Sequence, residues 1–461
     1  MTRTTAVSLL AMALAAIPLG AEPLSLSEAL RRAEMASFRA DNARLERAKA
    51  LEETGQVKSL YLPEVNFQGG HLNLDERPEL RFGPVAIGPL NLGGMTIGPL
   101  NLGPMGTPTA DKDSWRYKLS VDYLLYDFGK REKALSATRA KEEAIGLKGG
   151  EEIKQAQAEV AARYVALLNV KAQRQVLFQR RKSLEDHLKT VQDLYQNGVV
   201  ARNDLLRTEV ALRGIGDVER ALDSAEAAAT EALNVAMGQE ATTPLELPDG
   251  LEAPPALPWD ETSCRTRAAQ GNEGVKALKA KTKALQKQVE LKRGDYTPNV
   301  VAEAAHSYEQ NSWSLHPHEN ALYIGLSWKV FDGARSSKVR HASAELEQGK
   351  RETLEAERQA GNAAVAAYRD VQVALQEVQT AEANVRASEE NLRIVEDQYK
   401  EGLAKSTDAL DAEAVLADSR FSLAAKRYRA YARQAALLAT LGEDLPAFYS
   451  HVTTIRIAKE K

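Results

Sequence analysis

From Trp115 to Tyr123 apolar and polar residues alternate without a fault. Trp115, Tyr117, Leu119, Val121 and Tyr123 fall on one side, and Arg116, Lys118, Ser120 and Asp122 on the other. A period of two marks a β-strand with one apolar and one polar face. The segment is long enough for a tilted strand that crosses a bilayer, which needs about 9–11 residues. Leu322, Ile324, Leu326, Trp328 and Val330 repeat the phase, with Tyr323, Gly325, Ser327 and Lys329 opposite. Weaker strands are expected after Pro63, at Val65 and Phe67, and after Pro298, at Val300 and Ala302.

Elsewhere the period changes to that of helices. Val170, Leu177, Leu184, Leu188, Val191 and Tyr195 stand seven, four and three apart, as do Val371, Leu375, Val378, Val385, Leu392, Val395 and Tyr399. Returning segments carry Ile215, Val218, Leu222, Ala225, Ala229, Ala232 and Ala236, and then Ala424, Tyr428, Tyr431, Ala435 and Leu438. These are coiled-coil seams whose small knobs let helices approach closely. A helix from Lys130 to Gln196 would be roughly 100 Å long. Gly146, Gly149 and Gly150 would loosen it, each by about 1 kcal/mol relative to alanine. The helices reverse at Asn197-Gly198 and Glu401-Gly402, where glycine supplies the left-handed conformation that ends a helix. Asn203 and Ser406 or Thr407 are the expected caps of the returning helices. At the start of the chain, Ser25 and Glu28 have capping-box spacing ahead of a helix expected to reach about Leu60.

The chain says nearly the same thing twice. Leu124-Leu125-Tyr126-Asp127 returns as Lys329-Val330-Phe331-Asp332, and Tyr195-Gln196-Asn197-Gly198 returns as Tyr399-Lys400-Glu401-Gly402. The predicted organisation is a signal peptide at 1–21, a first repeat at 22–242, a proline-rich linker at 243–260, a second repeat at 261–445 and a tail at 446–461. The first repeat holds a helix, two strands joined by a long external loop at 70–114, and a helical hairpin at 130–238. The second holds the same parts, with its hairpin at 335–442. Within the loop, Ile87-Gly88-Pro89-Leu90-Asn91-Leu92-Gly93 recurs as Ile97-Gly98-Pro99-Leu100-Asn101-Leu102-Gly103. Four strands cannot close a barrel, since the smallest membrane barrels have about eight. A barrel therefore requires several copies of the chain.

Composition narrows the picture. A net charge of −4 leaves no basic field for nucleic acid. Arg3, the apolar run Ala6–Ile17 and a small residue at Ala21 read as a cleaved export signal. No later segment has the roughly 20 apolar residues of a membrane helix. Any later crossing must use strands. The single cysteine, Cys264, forms no internal disulfide and reads as a passive helix residue. The histidines at 71, 187, 306, 316, 318, 341 and 451 have no triad or metal-site spacing. No phosphate-binding or dinucleotide fingerprint is present. An enzyme, a cofactor and a bound metal are therefore not expected.

Leu62-Pro63, Tyr126-Asp127-Phe128-Gly129 and the two Tyr-x-x-Gly reversals, in this duplicated order, resemble the TolC-type outer-membrane efflux protein family. The second copy departs at Asp332-Gly333-Ala334, where glycine comes one place early, and at Thr297-Pro298, which lacks the leucine. The resemblance implies a mixed fold, a transmembrane β-barrel joined to an all-α coiled-coil barrel. It implies a homotrimer with twelve strands and a long helical tunnel, placed in the outer membrane of a Gram-negative bacterium with a large periplasmic part. It further implies outer-membrane lipid, a periplasmic adaptor (membrane fusion) protein and an inner-membrane pump as partners. Asp408 and Asp411, three apart on one helix face, match family positions that ring the narrow end of the tunnel. Acidic residues near a helix N-terminus also interact favourably with its dipole, and both readings stand. Asp204 and Tyr399 match positions that tie neighbouring hairpins in the closed state, with Asn203 beside them. The arginine that often joins this network is absent, its place being Ala404, with Lys405 adjacent. Gly198, Val199, Val200 and Ala201, with Gly402, Leu403 and Ala404, form apolar tips that the resemblance places against the adaptor.

The predicted function is a channel-tunnel of a tripartite efflux complex. The alternatives are the exit duct of a type I protein secretion system, a non-conducting coiled-coil scaffold and an adhesin-like stalk.

Overall fold

The computed structural model describes residues 23–452 and the backbone of 454–455. The predicted signal segment 1–21, and most of the tail past 452, lie outside the described residues. The helices are α1 Leu26–Ala36, α2 Phe38–Ser59, α3 Lys130–Gln196, α4 Arg202–Ala236, α5 Glu261–Gly271, α6 Glu273–Gly294, α7 Arg335–Lys400, α8 Ser406–Leu441 and α9 Leu445–Phe448. The strands are β1 Glu64–Asn73, β2 Glu79–Phe82, β3 Val85–Ile87, β4 Leu90–Leu92, β5 Met95–Ile97, β6 Leu100–Leu102, β7 Met105–Pro108, β8 Asp113–Tyr126, β9 Gly250–Leu251, β10 Asn299–Glu309, β11 His318–Ser327 and β12 Thr454–Ile455. They form two compact units. One comprises the described residues up to Ala48, Ala144–Lys279 and those from Arg351 onward; the other comprises Lys49–Glu143 and Ala280–Lys350.

The second unit holds a four-stranded antiparallel sheet in the order β1-β8-β10-β11. Register aligns the apolar residues of all four strands. Val65 faces Val121 and Phe67 faces Leu119, while Ala302 lies between Tyr123 and Ile324. The resulting apolar face is bare in the single chain: Phe67 is 70% and Leu322 75% exposed. Towards one end it turns aromatic. His71 and Trp115 lie 5.1 Å apart, Tyr117 stacks on Tyr308 at 4.9 Å, and Tyr308 meets His318 at 4.8 Å. The opposite face is polar and internally paired. Lys118 Nζ reaches Glu303 Oε1 at 2.6 Å, Arg116 pairs with Glu309, and Asn66 donates to Asp122 at 2.9 Å. Among the described residues, β1 and β11 each pair on one edge only.

The second bilayer-length strand ends earlier than its alternation predicts. β11 stops at Ser327, which pairs with Asn299 at the start of β10. The preceding Pro298 has no N–H to extend the ladder. The Trp328 indole instead donates to the Tyr296 carbonyl at 3.3 Å. The predicted external loop is not irregular either. It folds into a ribbon in which β2 pairs β7, β3 pairs β6 and β4 pairs β5, closed by Gly93 and Gly94 at φ 56° and 100°. Positive φ at both central residues is the geometry that reverses a two-residue hairpin.

The strand-to-helix junctions are duplicated with one difference. The buried Asp127 carboxylate accepts from the Arg131 backbone N–H at 2.7 Å and its guanidinium at 3.2 Å, and from Gly129 N–H at 3.1 Å. Arg131 lies 4.8 Å over the Tyr61 ring. Arg335 likewise lies 4.9 Å over Tyr296, while Asp332 accepts from Ala334 N–H at 2.9 Å and Lys338 Nζ at 3.2 Å. The first junction needs Phe128 at φ 56° and Gly129 at φ 79°. The second, with its glycine displaced, uses no left-handed residue.

In the helical unit, the first helix of each copy is broken, against the expectation of one helix to Leu60. At Ser37 the hydroxyl accepts from Ala40 N–H at 3.2 Å, and at Asn272 the side chain accepts from Val275 N–H at 3.1 Å, so each residue caps a new helix. Each break receives the end of a long helix. A Cβ on Gly238, at φ 75°, would lie 1.7 Å from the Ala36 carbonyl oxygen, and one on Gly442, at φ 76°, would lie 2.3 Å from that of Gly271. Only glycine allows both the backbone contact and the left-handed turn. α3 runs unbroken through Gly146, Gly149 and Gly150. Gly149 has a use, since a Cβ there would stand 3.2 Å from that of Ala43 on α2.

The core gathers Leu30 of α1, Tyr164, Leu167 and Leu168 of α3, Leu233 of α4, Tyr431 and Leu438 of α8, and Leu445 of α9. The proline-rich segment is pinned to α8, for Tyr431 donates to the Glu252 carbonyl at 2.9 Å and Gln434 to that of Pro255 at 2.6 Å. β9 pairs with β12. The start of the predicted tail belongs to this core, with the buried Tyr449 donating to Gln434 at 3.2 Å and Ser27 to the Pro446 carbonyl at 2.9 Å. Cys264 is buried among Leu437 and Leu441.

Gly238→Ala and Gly442→Ala are each expected to lower stability by about 3 kcal/mol, combining left-handed strain with a backbone clash. Gly146, whose Cβ would meet nothing within 4 Å, provides the contrast. Gly146→Ala should raise stability by about 1 kcal/mol. Urea unfolding midpoints of the three variants check this ordering.

Candidate functional site at the hairpin tips

Two long hairpins, α3 with α4 and α7 with α8, reverse in the same way. Gly198 at φ 72° donates to the Tyr195 carbonyl at 3.0 Å, and Val199 to that of Leu194 at 2.8 Å. Gly402 at φ 77° donates to Tyr399 at 3.0 Å, and Leu403 to Gln398 at 2.8 Å. The glycine turn satisfies the last helical carbonyls and leaves the next side chains with nothing to pack on. Val199 is thus 65% and Leu403 75% exposed.

The returning helices are not capped as predicted. Their caps are Ala201 and Lys405, neither with a side-chain bond. Asn203 lies inside the first turn of α4 and is exposed, and Ser406 is the first residue of α8. The turn is one or two residues tighter than side-chain capping by Asn203, Ser406 or Thr407 requires. In the second hairpin Asp408 does the work instead. Its carboxylate reaches back to the Lys405 backbone N–H at 3.0 Å, the reciprocal half of a capping box. Asp411 is exposed on the next turn of the same helix. Asp408 is therefore a helix-end residue by its bonds, and its carboxylate remains open to solvent.

Tyr399 is buried, 6% exposed, with its hydroxyl unpaired within the chain. Burial pushes it above the usual tyrosine range, the Ser406 hydroxyl pulls the other way, and the Asp204 charge adds to the rise. Inside one chain Tyr399 donates to no carboxylate. Its ring instead packs 5.2 Å from that of His187 on α3. His187 Nε2 lies 3.3 Å from the Ser406 hydroxyl, which joins the first hairpin to the start of α8. One helical level away, Arg180 of α3 contacts Glu413 of α8 at 3.0 Å, with the Glu413 side chain 8% exposed. Burial raises Glu413 above the usual carboxylate range, with Arg180 and then Arg420 opposing. Leu177, Leu184 and Ile215 pack beneath these contacts with Leu410 and Phe421. Between the two reversals lies a cavity of about 650 Å³ lined by Val199, Val200, Ala201, Asn203, Asp204 and Tyr399, with Ala404 and Gly402 across from them.

Sequence reasoning missed His187 and Glu413, though both carry a signal. His187 stands between Leu184 and Val191 on the apolar seam, and Glu413 between Ala409 and Leu416. A polar residue at a seam position needs a partner from another helix.

The chain thus combines a duplicated long helical hairpin with an amphipathic four-stranded sheet. A family model described as outer membrane efflux protein matches residues 29–239 and 265–443, and the chain belongs to that family. Protein CyaE of Bordetella pertussis is 28% identical over 335 residues, 70% of either chain. The crystal structure of the outer membrane protein VceC from Vibrio cholerae superposes with a TM-score of 0.67 at 15% identity, covering 91% of this chain and 96% of VceC. Crystal structures of CusC give a TM-score of 0.71 at 14% identity, covering 92% and 93%.

The His187 contact has a pH sign. Burial holds its imidazole below the usual histidine range. The stabilisation is complete above the unfolded value of about 6.5 and is lost as pH falls from there through the folded value. Hydrogen exchange at the start of α8 should accelerate as pH drops from about 7.5 to 5, after correction for intrinsic rates. His187→Gln should flatten that profile. Glu413 titrates with the opposite sign in both proteins, so the difference between them isolates His187; equal slopes would refute its contribution.

Proposed function

We propose that three copies of the chain close their sheets into a twelve-stranded outer-membrane barrel and join their hairpins into a tunnel. Through it, substrates received from the periplasm or an inner-membrane pump leave the cell. One observation carries this reading: the sheet has an exposed apolar face, a paired polar face and two unpaired edges, β1 and β11. Unpaired backbone is not tolerated in hydrocarbon, so such a sheet must be closed by copies of itself. The repeats at 22–242 and 261–445, joined by the linker at 243–260, supply two strands and one hairpin each.

The hairpin tips are the periplasmic end in this reading. Val199, Val200, Leu403 and the turns around them meet the hairpin of an adaptor protein. Asp408 and Asp411 from three copies form the acidic constriction, and Tyr399 with Asp204 and Asn203 forms the contact between neighbouring hairpins. The Tyr399 hydroxyl, buried and without a carboxylate acceptor in its own chain, supports the last assignment, since a neighbouring hairpin can supply one.

The reconstituted full-length protein should conduct ions in planar bilayers and be blocked by multivalent cations. Asp408→Ala with Asp411→Ala should weaken that block about tenfold or more. Unchanged block removes the acidic constriction, and a stable monomer that needs no detergent removes the channel. Val199→Asp and Leu403→Asp should reduce export in cells and co-purification of the adaptor while leaving conductance intact. Normal export by both variants would separate the tips from adaptor contact.

A further inference from the structure

The ribbon between β1 and β8 is unlike the rest of the chain. No residue from Gly83 to Ala110 is charged, in a sequence where 27% of residues are. Gly-Pro steps at 83–84, 88–89, 98–99 and 103–104 cut it into short rungs. In one rung Val85 pairs with Leu102 and Ile87 with Leu100, flanking Ala86 and Asn101. In the next, Leu90 pairs with Ile97 and Leu92 with Met95, flanking Asn91 and Thr96. Strand alternation puts the four large apolar side chains of each rung on one side and the small or polar pair on the other. Seven of these eight apolar residues lie bare, from Ile87 at 39% to Met95 at 72% exposed, and Leu102 is partly buried. Exposed apolar side chains gathered in this way, on a segment without charge, mark a contact surface. A two-stranded ribbon of this kind is at best marginally stable alone.

We propose that the apolar sides of these rungs are covered by the same ribbon from the neighbouring copies, three ribbons packing together to narrow the external mouth of the barrel. The inference rests on the trimeric channel reading. The ribbon is inserted directly beside β1, one of the two edges that a neighbouring copy must pair. Closing the barrel sets β1 of one copy against β11 of the next, so the three ribbons stand four strands apart at one mouth, around one axis. Identical surfaces repel when charged, and this one carries no charge. Burial in the bilayer is disfavoured for two reasons. The ribbon begins beyond the Trp115 and Tyr117 aromatic end of the sheet, where an interfacial belt belongs. Its Gly-Pro steps also interrupt the ladder, and unpaired backbone in lipid costs several kcal/mol for each group.

Three measurements on the full-length protein in lipid decide the matter. Leu92→Cys, in a background where the buried Cys264 is changed to Ser, should form disulfide-linked dimers on mild oxidation. Absence of cross-links overturns the proposal. Replacing residues 83–104 with a short glycine-serine turn should raise single-channel conductance about twofold or more, since a constriction in series is removed. Unchanged conductance overturns the proposal. Leu92→Trp should be insensitive to brominated lipids, and strong quenching assigns the surface to the membrane and overturns it. If the native protein and the replacement variant both fail to conduct, the channel reading itself fails, while the cross-link still decides whether ribbons meet.

Discussion

Everything in the sheet unit depends on backbone hydrogen bonding at two strand edges. β1 and β11 leave a row of donors and acceptors open at the rims of a sheet with one bare apolar face. In water such an edge is a liability, and in hydrocarbon it is forbidden. The polar face is already internally matched, with Lys118 on Glu303 and Arg116 beside Glu309. Its charges therefore do not call for another protein surface. The apolar face asks for lipid, and only the edges ask for more strands.

The duplication is most exact where backbone meets backbone. Gly238 enters the break after Ala36, as Gly442 enters the break after Gly271. Neither contact leaves space for a β-carbon. The Arg131–Tyr61 and Arg335–Tyr296 stacks are likewise paired. Divergence is confined to places where the constraint is looser. One junction uses a left-handed phenylalanine and a buried carboxylate; the other does without either. The largest divergence is the apolar ribbon, inserted at a strand connection where extra residues disturb no ladder.

At the tips, helix-end chemistry and charge placement share the same atoms. The Asp408 carboxylate bonds a backbone N–H within its own chain and still faces solvent. A capping role and membership of an acidic ring are therefore compatible. His187 and Glu413 hold the two hairpins of one chain together across α3 and α8, with burial moving each towards its neutral form.

The sequence by itself determined the duplicated order, the strand phases, the long helices and the glycine reversals. Each follows from interactions within a few residues: period two, seam spacing and left-handed φ. It placed Val199 and Leu403 on exposed turns, and Asp408 with Asp411 on one helix face. Only the tertiary structure decided the breaks at Ser37 and Asn272, the early end of β11, the ribbon fold of 79–108, the packing of Tyr449 in the core and the partners of His187 and Glu413. Those features are set by groups far apart in the chain, such as the Ala36 carbonyl against Gly238 or the Ser406 hydroxyl against His187. Local periodicity carries no information about which distant atom fills a gap, so these contacts became legible only once the helices were packed.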